Sequence, residues 1–141
     1  MNPPTNPNIS SYTYLFDLMW MDGPLISVSY NLDEGDGYYD LYDWMDVRDA
    51  CNLWLVLRIS KETLKDILEG RIGYREAWGR TPTDKQFMYF QDGKLISRYE
   101  PIDSHLSHIE KHLVNHFFDP QYCQSVDMEK IDRWLKMENS K

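Results

Sequence analysis

The sequence predicts the α+β class: a mainly antiparallel sheet of about five strands in two hairpin-containing groups, packed against roughly two to four helices, with a helical C-terminus. Two observations carry this prediction. Apolar residues alternate with a period of two in several short segments, and turn residues separate these segments. The order of strands, helix, strands and helices also differs from the regular strand and helix alternation that predicts a parallel sheet.

Length and composition predict one domain with a leading arm. A chain of 141 residues has the usual size of a single domain, and 42% hydrophobic residues suffice for a core without disulfides or a structural metal. Residues 1–11 are rich in Pro, Asn and Ser, which predicts a flexible N-terminal arm. We expect residues 12–138 to form the α+β domain, starting near the aromatic stretch from Tyr12 to Trp20.

Three strands are predicted in the first half of the chain. The first runs from Leu25 to Tyr30, and the glycine-bearing turn from Asp33 to Gly37 leads into the second, from Tyr38 to Met45. The third runs from Leu53 to Ile59. Apolar side chains occupy both alternating sets of positions in the third strand, so we expect both of its faces to be largely covered.

A helix is predicted directly after the third strand. Ser60 is placed to cap a helix from Lys61 to Glu69, since its hydroxyl can accept a hydrogen bond from a free N–H of the first turn. Gly70 is placed to end this helix, because glycine adopts the left-handed conformation that often follows a last turn. A further helical turn is expected from Tyr74 to Trp78.

The last part of the chain predicts a second hairpin and two helices. Strands from Phe87 to Phe90 and from Leu95 to Tyr99 flank Asp92-Gly93, a dipeptide that tolerates the positive φ of a type I′ turn. A long helix is expected from Asp103 or Ser104 to Phe118, ended by the proline that follows shortly after. A final helix is expected from about Asp127 to Met137.

The charge of the chain restricts its partners. The net charge of −8 repels phosphate backbones and anionic lipid surfaces, so we expect neither direct nucleic-acid binding nor membrane binding. Cys51 and Cys123 are too few for a secreted disulfide scaffold, and the N-terminus has no basic and apolar run of a signal peptide. The sequence therefore predicts a cytoplasmic protein with a basic partner.

The acidic residues are concentrated in the first part of the chain and alternate with aromatic residues. Residues 1–60 hold 2 of the basic side chains and 9 of the acidic ones, a net charge of −7. Carboxylates on one edge steer a basic partner, and tyrosine and tryptophan supply rigid contact area. The sequence predicts a partner-binding surface made of Asp33, Glu34, Asp36, Tyr38, Asp40, Tyr42, Asp43, Trp44, Asp46 and Asp49.

A second interpretation of the same residues stays open. Acidic turns can simply keep a hairpin soluble while the aromatic side chains pack inward. Against it, Tyr38, Asp40, Tyr42 and Trp44 occupy alternate positions and therefore share one strand face, where a basic partner would offset the repulsion between carboxylates. We expect a non-enzymatic inhibitor that occludes a basic, nucleic-acid-binding protein such as a nuclease, a toxin or a subunit of a defence complex.

An alternative function is a small-ligand or nucleotide-binding module. Trp78 would supply a stacking surface, and Arg71, Arg75 and Arg80 would contact an anion. No cofactor is expected in either case, and a homodimer is compatible with both.

The four histidines of the chain lie at helical spacing within the predicted long helix. His108, His112 and His116 are one turn apart, and histidines at this spacing can bind a divalent transition metal together. Metal sites usually take ligands from more than one element, and this stripe adjoins an apolar helix face. No metal site is therefore predicted, and these three histidines are the weak candidates.

No catalytic motif is present. The sequence has no glycine-rich phosphate loop, nucleophile elbow, His-Glu-x-x-His or Cys-x-x-Cys, and scattered carboxylates do not define an acid and base pair. Cys51 and Cys123 are interpreted as ordinary thiols, because nothing at a fixed spacing activates them. We therefore expect no enzymatic activity.

Several short motifs between residues 12 and 80 carry a resemblance. They are Leu15-Phe16-Asp17, Gly23-Pro24-Leu25, the run from Asn52 to Ser60, Leu68-x-Gly70-x-Ile72 and Arg75-Glu76. In these the chain resembles a family of small bacterial and phage-borne domains. The motifs are structural, so the resemblance implies a bacterial or phage origin and no catalytic residue. In size, acidity and lack of catalytic chemistry the chain is also similar to toxin-immunity proteins and phage inhibitors of bacterial defence.

Overall fold

Six strands form one antiparallel sheet in which each strand lies beside its neighbour in sequence. The computed structural model describes residues 12–21, 24–31, 38–48, 50–80, 85–92, 94–99 and 116–140. The strands are β1 (Tyr12–Trp20), β2 (Pro24–Asn31), β3 (Tyr38–Arg48), β4 (Cys51–Ser60), β5 (Lys85–Gln91) and β6 (Lys94–Tyr99). The α+β class is confirmed, with six strands instead of about five, and the two predicted strand groups join at β4 and β5.

The additional strand, β1, escaped prediction because its alternation is irregular. Its pairing with β2 shifts register between Tyr14 and Phe16 and again between Asp17 and Met19. Each shift places an extra residue on one strand, so apolar side chains no longer fall at every second position. Phe16 and Leu18 are nevertheless buried in the main core.

Two tight turns place non-glycine residues in the left-handed region. Asp92, between β5 and β6, has a φ of 52°, which is the value that the predicted type I′ turn requires at its first central position. Ala50, between β3 and β4, has a φ of 63°. Alanine has a Cβ and no polar side chain to compensate for this conformation, so the β3–β4 turn stores backbone strain.

Three α-helices are described: α1 (Lys61–Leu68), α2 (Tyr74–Gly79) and α3 (Ser125–Asn139). The predicted cap of α1 is confirmed, since the Thr63 N–H donates to the Ser60 hydroxyl at 3.2 Å. Gly70 follows α1 with a φ of 74°, as its role as a stop requires. Among the described residues, no helix is long and apolar enough to cross a membrane.

The long helix predicted to end at Phe118 does not extend that far. Most of that segment lies outside the described residues, and residues 116–119 are not helical. The backbone carbonyl of His116 accepts a hydrogen bond from the Tyr74 N–H of α2 at 2.8 Å, and Phe118 is buried in the main core. Residues 116–119 are thus held by the backbone hydrogen bond to α2 and by the buried Phe118 ring instead of by helical hydrogen bonds.

The sheet buries apolar side chains on both faces. The main core lies on the face covered by helices, where strand residues such as Leu55 pack with Leu64 and Ile67 of α1, Trp78 of α2 and Ile131 of α3. The opposite face carries a second cluster: Tyr42, Trp54, Val56, Met88 and Phe90. Since β4 contributes to both clusters, the prediction that both of its faces are covered is confirmed.

Helix α3 is fixed to the sheet by polar and aromatic contacts. The indole N–H of Trp134 donates to the Tyr39 hydroxyl at 3.3 Å, and the two rings meet edge to face at 5.8 Å. The Lys61 ammonium at the start of α1 lies 3.3 Å from the Glu138 carboxylate. These contacts hold the C-terminal half of α3 over the end of the sheet where β3 begins.

We predict that Ala50→Gly stabilises the protein by about 1 kcal/mol, because glycine adopts a positive φ without the Cβ clash and Ala50 is exposed, so no packing is lost. Urea unfolding measures the change. Ala77→Gly is the matched control, since Ala77 is fully buried in α2 and its replacement should destabilise the protein. A loss of stability in Ala50→Gly would contradict this description of the turn.

Candidate functional site

The acidic surface predicted along β3 is divided by the length of that strand. Eleven residues in β3 span about 33 Å. Asp33, Glu34 and Asp36 precede the strand and Asp49 follows it; these four positions lie outside the described residues. The carboxylates that the sequence groups together therefore flank opposite ends of one long strand.

Two of the predicted contact residues are buried within the sheet. Asp40 is 2% exposed, and its carboxylate lies 3.9 Å from the guanidinium of Arg58 on the neighbouring strand. Tyr42 is fully buried, with its ring edge to face against Trp54 at 6.2 Å and Phe90 at 6.4 Å. Tyr42 therefore fits the second interpretation of the sequence, in which aromatic side chains of the hairpin pack inward. Asp40 is a buried carboxylate and is not accessible to a partner in this conformation.

Three further residues of the predicted surface lie on β3: Tyr38, Trp44 and Asp46. Tyr38 is 46% exposed at the start of the strand, directly after the acidic segment. Trp44 is half-buried, packs against the second cluster and donates its indole N–H to the Asn52 side-chain oxygen at 3.1 Å. Asp46 belongs to the strand, but its side chain is outside the described part of the structure. Tyr38 is thus the predicted aromatic contact most accessible to a partner.

Asp43 points to the opposite face from Asp40 and Tyr42, toward the helices. Its cross-strand neighbours are Ile26 on β2 and Leu55 on β4, both of which belong to the main core. Burial raises the pKa of Asp43 from its ordinary value to about 7. Burial also holds the pKa of Tyr74 well above its usual range, and the negative charge of Asp43 adds to this effect. Burial therefore favours the uncharged form of Asp43 over a wider pH range than for an exposed aspartate.

A second group of titratable side chains lies where β1 meets the C-terminal segment. Asp17 is 2% exposed and accepts a hydrogen bond from the Ser27 hydroxyl on β2. Asp127 at the start of α3 is 4% exposed, accepts a long hydrogen bond from the Tyr14 hydroxyl at 3.5 Å and lies 3.8 Å from the Lys130 ammonium. These side chains join the edge of the sheet to α3.

The environments of Asp17 and Cys123 disfavour negative charge on these two side chains. Burial raises the pKa of Asp17, the hydrogen bonds from Ser27 and Tyr14 oppose this shift, and the charge of Asp127 reinforces it. The Cys123 thiol donates to the backbone carbonyl of Asp17 at 3.1 Å. Burial raises the pKa of Cys123 to about 11, so the thiol stays protonated at neutral pH and is a poor nucleophile.

Sequence reasoning missed both of these groups because their members are far apart in the chain. The charge of Asp43 acts on Tyr74 of α2, the charge of Asp127 acts on Asp17, and the Cys123 thiol contacts the backbone of Asp17 more than 100 positions away. One signal was present: Asp17 is a single carboxylate within the otherwise apolar and aromatic segment that became β1. A lone acid in such a segment must find a polar partner when it is buried.

Three of the four residues of the predicted anion site make contacts within the protein around α1 and α2. Trp78 is 5% exposed in the main core, so its ring faces protein. Arg71 and Arg80 both donate to Asp66 at 2.9 Å, and these two hydrogen bonds lower the pKa of Asp66. Arg75 is exposed. The structure brings Arg71 and Arg80 together around a carboxylate of the chain itself.

The weak metal candidates are not assembled by the described residues. His108 and His112 lie outside that part of the chain, and His116 is exposed. Among the residues that the structure describes, no group of three or more His, Cys, Asp and Glu side chains is arranged to hold a metal ion.

Comparison with protein-family models, with curated proteins and with solved structures found no match to this chain.

We predict that Asp43→Asn stabilises the protein at pH 8 and has little effect at pH 4. The folded pKa of about 7 lies above the unfolded value of 3.8, so folding becomes less favourable as the pH rises from about 4 to 7. Asparagine has no proton to lose. Since Asp43 is half-buried, the gain at pH 8 is expected to be about 2 to 4 kcal/mol.

Urea unfolding of both proteins across this pH range measures the effect. Asp132→Asn on the exposed face of α3 is the control, because this side chain keeps its contact with water on folding. If Asp43→Asn were less stable than the unmodified protein at pH 8, the carboxylate would have a stabilising partner and the assignment of its environment would be wrong.

Proposed function

We propose that the protein is a non-enzymatic, cytoplasmic inhibitor of the toxin-immunity or anti-defence type, which occludes a basic, nucleic-acid-binding protein. Its contact surface is the acidic end, defined by Asp33, Glu34, Asp36 and Tyr38. The observation that carries this proposal is the exposure of Tyr38: it directly follows the acidic segment, whereas Asp40 and Tyr42 on the same strand are buried.

Burial reduces the number of carboxylates of the first 60 residues that are available to a partner. Asp17 and Asp40 are enclosed by protein, and Asp43 is half-buried with a raised pKa. Three of the remaining acidic residues fall within four consecutive positions, from Asp33 to Asp36. This is the densest negative segment left to attract a basic surface.

The length of β3 favours one end over a surface along the whole strand. A standard interface of about 800 Å² per partner is about 30 Å across. Strand β3 alone spans about that distance, so an interface centred on the acidic end reaches about halfway along the strand and includes neither Asp46 nor Asp49. Charges outside the contact area can still accelerate association, whereas an aromatic residue near the centre contributes binding energy.

The acidic end suits an inhibitor of a nucleic-acid-binding protein. Such proteins bind phosphates through clustered lysine and arginine side chains. A carboxylate segment beside a tyrosine can occupy these side chains and exclude the nucleic acid by competition. The mechanism needs no reaction at the site, only steric occlusion and charge complementarity.

We predict that neutralising the acidic end removes binding. The protein and the variant D33N/E34Q/D36N are immobilised and incubated with a bacterial lysate. Basic proteins that only the unmodified chain retains are then purified and titrated against both immobilised proteins. The purified partner should bind at least about tenfold more weakly to the variant at low ionic strength, and salt should reduce this difference. Its nucleic-acid binding should be inhibited by the unmodified protein only.

The matched control is E62Q/E129Q/D132N, which removes three charges from exposed positions on α1 and α3. This control should bind the partner as the unmodified protein does. Tyr38→Ala should weaken binding with the net charge unchanged. Two results would sink the proposal: no basic protein retained selectively, or equal loss of affinity in the acidic-end variant and the control.

A further inference from the structure

A groove of about 390 Å³ runs between the edge strand β1 and helix α3. Its lining comes from three residues of β1 and four of α3: Tyr14, Leu15, Phe16, Lys130, Arg133, Trp134 and Met137. A further shallow depression adjoins it and is lined by Arg133, Lys136, Met137 and Ser140. The two share Arg133 and Met137, so the groove continues along the C-terminal half of α3.

The face of α3 toward the groove combines cations with exposed apolar side chains. Val126, Lys130, Arg133 and Met137 are spaced at three or four positions and therefore share one side of the helix. Val126 is 58% exposed and Met137 62% exposed. Neither the groove nor the adjoining depression is lined by a carboxylate residue among the described part of the chain.

The cationic side chains on this face of α3 differ in whether they already have a partner within the protein. Lys130 lies 3.8 Å from the Asp127 carboxylate and 5.4 Å from the centre of the Tyr14 ring. Arg133 donates its Nε–H to the backbone carbonyl of Glu129 at 3.4 Å and has no carboxylate partner among the described residues. Arg133 and Lys136 are both exposed and line the groove or the adjoining depression, so their cationic groups are accessible to a chain bound there.

The strand that borders the groove is at the edge of the sheet. Strand β1 pairs with β2 on one side, and among the described strands none pairs with its other side. Its register shift between Tyr14 and Phe16 falls at the groove. An edge strand offers backbone N–H and C=O groups to an extended chain, which is a common mode of peptide recognition.

We propose that this groove binds an extended acidic segment of a second protein. The carboxylates of that segment would pair with Arg133 and Lys136, and an apolar side chain would pack on Trp134 and Met137. The groove is open along its length, which suits a peptide better than an enclosed small molecule. This site is opposite in charge to the acidic end and does not rest on the proposed function.

The test uses a fluorescein-labelled peptide of alternating Glu and Leu residues, with the Lys and Leu peptide of equal length as its counterpart. Fluorescence polarisation at low ionic strength should show binding of the Glu peptide only. Arg133→Glu should weaken this binding at least about tenfold, because an attractive charge contact becomes repulsive. Amide chemical shifts should change at residues 14–16 and 130–137.

The control variant is Arg98→Glu, which makes the same change of charge at an exposed position of β6, the opposite edge of the sheet. It should retain the affinity of the unmodified protein. Circular dichroism verifies that both variants are folded.

Several results would overturn the proposal: no binding of the Glu peptide, equal binding of the Lys peptide, unchanged affinity in Arg133→Glu, or equal loss in Arg98→Glu. Light scattering tests whether the occupant of the groove is a second copy of the chain. If the protein self-associates and Arg133→Glu abolishes this, a second copy of the chain occupies the groove instead of another protein.

Discussion

The burial of β4 on both faces is the constraint on which the rest of the structure depends. Leu53, Leu55 and Leu57 face the helices, and Trp54 and Val56 face the second cluster. Each face of such a strand must be covered by packed side chains of other elements, because a face left in water would expose several large apolar side chains. Strands β3 and β5 pair with it on either side, and α1 follows it directly in the chain.

This constraint also determines the roles of the charged residues of β3. Strand β3 pairs with β4 along its length, and its side chains alternate between the two faces of the sheet, so that Leu41 packs in the main core and Tyr42 in the second cluster. Asp40 is buried beside Arg58, and Asp43 loses enough water that its pKa rises to about 7. The acidic residues that look like one surface in the sequence are thus divided: Asp40 is buried and Asp43 half-buried within the strand, whereas Asp33, Glu34 and Asp36 precede it and Asp49 follows it in the chain. The acidic end is therefore the part of this set that we propose for recognition.

The sequence was informative where a local rule determines the structure. Ser60, Gly70 and Asp92 each occupy the capping, stop or turn position predicted for them, because a few neighbouring residues suffice to define these conformations. Strand β1 was missed because its bulges disturb the period of two, and residues 116–118 were assigned to a helix although Phe118 packs in the core. In both cases tertiary contacts override the local pattern.

The candidate sites were less predictable for the same physical reason. The alternation of side chains along β3 correctly placed Asp40 and Tyr42 on the same face of the strand. The sequence of a single strand does not show whether side chains of other strands cover that face, as those of the second cluster do at Tyr42. The groove between β1 and α3 joins segments more than 100 residues apart, and no spacing in the sequence relates them.

The central claim is that burial leaves the carboxylates of the acidic end as the accessible ones. The most direct test of this claim is carboxylate labelling with a water-soluble carbodiimide and an amine, read by mass spectrometry. We predict fast modification of Asp33, Glu34 and Asp36 and slow modification of Asp17 and Asp40. Modification of Asp40 as fast as that of Asp33 would contradict it.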